Sequence, residues 1–150
     1  MSKSEKGFSL LELLIVVAII LIIATIAIPS LLRSRQAANE SAAVAELRTV
    51  NTAQITYLSS AGGLYGDITM LVTAGLLDSR FSNTGTKPLS GYTFNVVLSG
   101  TPSGTDYVAW ANPASTSTGR WGYYSTPDAV VRYTTDSALA PTGQNGQPVN

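Results

Sequence analysis

Glu12 is the only ionisable residue between Phe8 and Ile28, a run otherwise apolar apart from Ser9 and Thr25. A carboxylate near the end of a membrane-crossing helix costs on the order of a few kcal/mol to insert. It must therefore snorkel to the headgroups or serve a partner. Chemistry elsewhere in the chain is sparse. There is no Cys, which removes disulfides and thiolate metal sites, and no His, which removes the commonest general base and zinc ligand. Lys87 beside Pro88 is a lone loop lysine and reads as solvated, and no Ser or carboxylate constellation has catalytic spacing. Nine basic and nine acidic residues cancel, so no electrostatic case for nucleic-acid binding exists.

The element that must position Glu12 is long. The apolar run from Phe8 to Ile28 would reach about 30 Å as a helix, the thickness of a bilayer core. It is longer than a signal-peptide core, and no clear small-residue cleavage site follows it; the chain continues Pro29-Ser30-Leu31-Leu32-Arg33. A transmembrane helix fits best. Lys3 and Lys6 precede the span while Arg33 and Arg35 follow it, so charge alone does not orient it. Pro29 lacks the N–H that would bond the carbonyl of Thr25, and a kink or local break is expected there.

Beyond Pro29 the pattern becomes amphipathic. Ala43, Leu47, Val50, Gln54, Tyr57, Leu58 and Ala61 follow the spacing of one helix face, with Gln54 interrupting the stripe. Leu47, Val50, Tyr57 and Leu58 are the expected contacts between helix and sheet. Arg35, Glu40, Glu46 and Arg48 lie largely off the stripe and read as a solvated face. Gly62-Gly63 is the expected stop. A short helix is expected around Asp67–Leu77, with Asp67 as N-cap. Strands follow at Tyr92–Leu98, Asp106–Ala111, Gly119–Ser125 and Ala129–Thr134, separated by turn-rich stretches. The segment 140–150 has two Pro and two Gly and reads as an irregular strap or disordered tail. The fold class is therefore α+β: a long N-terminal helix, membrane-spanning and then amphipathic, packed against a small antiparallel sheet of three or four strands.

The residues Gly7-Phe8-Ser9-Leu10-Leu11-Glu12-Leu13, after a short basic leader and before the apolar run, resemble the prepilin signature of type IV pilins and type II secretion pseudopilins. The resemblance is strong from Gly7 to about Ala61. The later stretches GYTF, DYVAWANP and VVRY are similar to disulfide-free members of the family, but less specifically. It implies cleavage by a prepilin peptidase between Gly7 and Phe8, methylation of Phe8, and a leader facing the cytoplasm. It also implies that Glu12 pairs with the N-terminal amine of a neighbouring subunit. In several filaments of the family the helix unwinds near the proline corresponding to Pro29. The expected organisation is a cleaved leader at 1–7, a membrane and filament-core helix at 8–29, an amphipathic helix at 30–63 and a β-rich head at 64–150. The major pseudopilins hold calcium in a C-terminal loop, which makes Asp106, Asp128 and Asp136 candidates by residue type. No Asp-x-Asp cluster is present, so they read as turn residues, and no metal or cofactor is expected.

The function these expectations define is structural. The chain is expected to be no enzyme but a pilin that polymerises into a homo-oligomeric helical filament, a type IV pilus serving adhesion, twitching or DNA uptake. The alternative is a pseudopilin of a type II secretion system; a membrane-anchored enzyme is a remote third. Expected partners are membrane lipid before assembly, the prepilin peptidase, the inner-membrane pilus assembly machinery and other copies of the chain, with no nucleic acid. The expected location is the inner membrane as a single-pass protein, then an extracellular pilus, or a periplasmic pseudopilus in the alternative.

Overall fold

A computed structural model of the chain describes residues 7–134 and 146–149. Helix α1 runs unbroken over Leu10–Ser60. The chain divides into two units, the first ending at Ser34 and the second beginning at Arg35. In the first unit every large apolar side chain is exposed, from Phe8, just before the helix, at 77% through Leu32. Pro29 lies inside α1 without ending it, so the local break expected there is not found. Proline removes one intrahelical N–H, and the helix continues through it on both sides. Four residues before it, the Thr25 hydroxyl donates to the carbonyls of Leu21 and Ile22 at 2.6 and 3.0 Å, so this polar side chain is satisfied by its own helix.

In the second unit α1 becomes one wall of a core. Ala43, Val44, Leu47, Val50 and Ala53 pack with the inward side chains of an antiparallel sheet. The helix ends where the glycines allow it. Gly62 and Gly63 take positive φ, and the Gly63 N–H reaches back to the Leu58 carbonyl at 3.0 Å. Helix α2 spans Ile68–Thr73 and is capped by Asp67, whose carboxylate accepts from the Met70 N–H. A short 3₁₀ helix at Ser79–Asn83 follows.

Among the described residues the sheet has five strands in sequence order, each antiparallel to the next. They are β1 (Tyr92–Ser99), β2 (Asp106–Pro113), β3 (Gly122–Ser125), β4 (Arg132–Thr134) and β5 (Gln147–Pro148). Register puts Phe94 opposite Ala111, Val96 opposite Ala109 and Leu98 opposite Tyr107, so one face of β1 and β2 is apolar and faces the helix. The free edge of β1 is blocked. Thr84 Oγ1 accepts from the Phe94 N–H and donates to the Phe94 carbonyl, while Leu89 and Tyr92 exchange two backbone bonds.

Several sequence expectations change here: α2 ends at Thr73, short of the expected Leu77, and β4 begins at Arg132 instead of Ala129. Strand β3 starts three residues later than expected, because Gly119 passes against the Tyr92 ring, where a Cβ would lie 2.0 Å from the hydroxyl oxygen. The segment 140–150, read as an irregular strap, contributes β5, a two-residue edge strand paired with β4. Its proline sits at an edge, where a ladder donor is dispensable. Most of that segment lies outside the described residues, as does Asp136.

Candidate processing and assembly site

The start of α1 brings together the residues singled out by type. Gly7 is exposed, and a Cβ there would meet nothing within 4 Å among the described residues, so its small size answers no packing demand among them. Phe8 is exposed beside it. Glu12 folds back on the helix start: its Oε2 accepts from the Ser9 N–H at 3.2 Å, and the Ser9 carbonyl accepts from the Leu13 N–H. This is the reciprocal arm of a capping box, with Ser9 before the helix and the glutamate three residues on. The other carboxylate oxygen has no partner among the described residues. The Ser9-x-x-Glu12 spacing is the signal by which this helix start is legible in the sequence. The helix it opens contains a stretch long and apolar enough to cross a membrane.

The helix–sheet contact rests on Leu47 and Val50, which are fully buried, and on Tyr57, which is partly buried against the same cluster. Leu58, expected with them, is half-buried and stands outside the cluster. The buried face turns instead toward Tyr57, whose ring would be 3.0 Å from any Cβ added to Gly66.

Polar side chains on α1 carry the attachment of the loops. Gln54 does not interrupt the stripe; it is fully buried and exchanges two hydrogen bonds with Gly66, donating to the carbonyl at 2.6 Å and accepting from the N–H at 3.0 Å. Asn51 donates to Ser125 Oγ and to the Ala129 carbonyl, and accepts from the Tyr107 hydroxyl. Gln36 and Asn39 donate to the carbonyls of Thr116 and Thr118.

Glu40 was expected on a solvated face and is buried. Its Oε1 accepts from the backbone N–H and Nε of Arg120, and its Oε2 from Nη2. Burial pushes the Glu40 carboxyl up, but the hydrogen bonds and charge of Arg120 outweigh it and hold the group below its usual range. Glu46 also departs from the solvated reading. It is partly buried, and desolvation raises it despite a hydrogen bond from Ser90 and the charge of Arg80. These residues were missed because a lone polar residue near an apolar stripe looks the same in sequence whether it meets water or a loop.

Asp106 and Asp128 hold turns. Asp106 accepts from the Tyr107 N–H; Asp128 accepts from Thr126, Val130 and Arg132. Among the described residues no cluster of three or more acidic side chains is placed to hold a metal.

An exposed apolar helix whose start is capped by a glutamate, together with a small α+β head in the same chain, defines the pilin type of subunit. Residues 2–28 match the prokaryotic N-terminal methylation motif. The chain is 31% identical over 129 residues to the type IV wide pilus major component PilA4 of Thermus thermophilus, covering 86% of this chain and 93% of the relative. No solved structure matches. The chain belongs to the type IV pilin family, a family of structural subunits.

Proposed function

We propose that this chain is a pilus subunit. It is cut between Gly7 and Phe8, methylated at Phe8, held in the inner membrane as a single span, and then polymerised into an extracellular filament. The observation that carries the reading is the exposure of every large apolar side chain from Phe8 to Leu32, a stretch in which Glu12 is the sole charged side chain. Such a surface needs lipid first and other apolar helices afterwards. Its one carboxylate then needs a cation, because an unpaired charge in that setting is costly. The amine freed at Phe8 of a neighbour supplies one, being cationic near neutral pH. The pair forms only at one axial offset between subunits, so it sets register as well as attraction, as buried polar groups do in coiled coils. The similarity to a pilus major component favours a pilus over a secretion pseudopilus.

The test is Glu12→Leu as the sole subunit. Cleavage and membrane insertion should be intact and sheared surface filaments severely reduced. Filaments at wild-type levels would refute the pairing. Wild-type chain found only in periplasmic assemblies, never in surface filaments, would replace the pilus by a pseudopilus.

A further inference from the structure

We infer that the hollow between the 3₁₀ helix and the turn at residues 87–89 is a binding site for a carboxylated sugar. The cavity has a volume of about 280 Å³ and is lined by Ser79, Arg80, Asn83, Lys87, Pro88 and Leu89. That is near the lower limit of ligand pockets, on the order of 300 Å³, and suits one sugar ring rather than a larger molecule.

The lining holds donors that the protein does not use. The ammonium of Lys87, the side-chain amide of Asn83 and the hydroxyl of Ser79 have no partner among the described residues. Arg80 spends only its Nε, on Asp78 at 3.2 Å, leaving its terminal nitrogens open. Acids are near: Asp78 is exposed, and the partly buried Glu46 interacts electrostatically with Arg80. Neither is part of the lining, where the two charged groups are both cations. A guanidinium takes a carboxylate through paired N–H groups, and Lys87 adds a second charge. Pro88 and Leu89 offer an apolar wall for the C–H face of a ring, which a bare inorganic anion would leave unused.

The backbone that carries these groups is already fixed. The Asn83 carbonyl accepts from the N–H groups of both Thr86 and Lys87, Leu89 is paired to Tyr92, and Thr84 is bonded twice to Phe94. A preorganised cradle loses little ordering entropy on binding.

The full chain in detergent micelles, titrated calorimetrically, tests this with D-glucuronate, D-glucose and inorganic phosphate as probes. Saturable binding of glucuronate is expected, with glucose not detectable and phosphate weaker. Arg80→Gln and Lys87→Gln should each weaken glucuronate about tenfold, and Arg80→Lys should weaken it less than Arg80→Gln. Both side chains are exposed, so the head should stay folded in each variant, with only a small fall in melting temperature for Arg80→Gln from the loss of its charge beside Glu46. Absence of glucuronate binding, equal binding of glucose or phosphate, or an unaffected double Gln variant would overturn the site. The site belongs to one subunit and is read without polymerisation, so its failure is distinct from failure of the filament reading.

Discussion

Replacing Gln54 by Leu should destabilise the head, although it completes an apolar helix stripe. Gln54 is fully buried and its amide is satisfied by Gly66, itself buried, through bonds of 2.6 and 3.0 Å. Leucine would strand both the N–H and the carbonyl of Gly66 away from water. Each stranded group costs about 1–3 kcal/mol. The added apolar burial returns roughly 1 kcal/mol. A net loss of about 3 kcal/mol remains, which for a head of this size lowers the melting temperature by roughly 10 °C. Near-ultraviolet circular dichroism of the full chain in detergent follows the head, because the aromatic residues Trp110, Trp121, Tyr92, Tyr107 and Tyr124 all lie in it. Hydrogen exchange at the Gly66 amide provides the local readout and should accelerate. A variant that melts at or above wild type, with that amide still protected, would show that burial of the stripe outweighs the bond to the loop.

Leu47→Ala removes a fully buried side chain at the centre of the helix–sheet contact and should cost about 2–5 kcal/mol by the same melting assay. Glu40 and Glu46 should titrate stability in opposite directions. The Glu40 carboxyl is held below its usual value of 4.5, so its contribution is present above that pH and lost as pH falls through the depressed folded value; Glu40→Gln should melt below wild type at pH 7, with the gap closing in acid. The Glu46 carboxyl is raised from 4.5, so ionising it opposes folding as pH rises past that value; Glu46→Gln should melt above wild type at pH 7 and gain nothing below about pH 4. Intact mass of native filaments should show a chain beginning at Phe8 with one added methyl, and Gly7→Leu should leave the leader attached.

The sequence pattern was a good guide wherever one periodicity governed many residues. The apolar run, the strands β1 and β2 and the Asp67 cap all lie where spacing and residue type put them. It was a poor guide where a single polar side chain decided the outcome. Glu40 and Gln54 bond to backbone in loops at residues 120 and 66, partners 80 and 12 positions away that no local pattern specifies. β5 was invisible for a related reason: two residues beside a proline carry no period, and pairing with β4 comes from tertiary placement. At the candidate site the residue types were legible, while the bond between Glu12 and Ser9 depended on reading a spacing as a cap.

That bond sharpens what the Glu12 experiment means. In this structure Glu12 already has a duty inside its own chain, closing the first turn of α1 on the Ser9 N–H. Loss of filaments in Glu12→Leu would therefore have two readings, a frayed helix start or a missing charge for the neighbour's amine. Glu12→Gln separates them. Glutamine serves at this position of a capping box, so the Ser9 N–H keeps its acceptor. It carries no charge, so the charge-assisted pair in the proposed filament, roughly twice as strong as a neutral bond, is lost. If the pairing drives assembly, Glu12→Gln should lose most filaments while the helix start stays as protected from hydrogen exchange as in wild type. Filaments restored to wild-type levels by glutamine would assign the residue to capping alone and remove the charge from the mechanism.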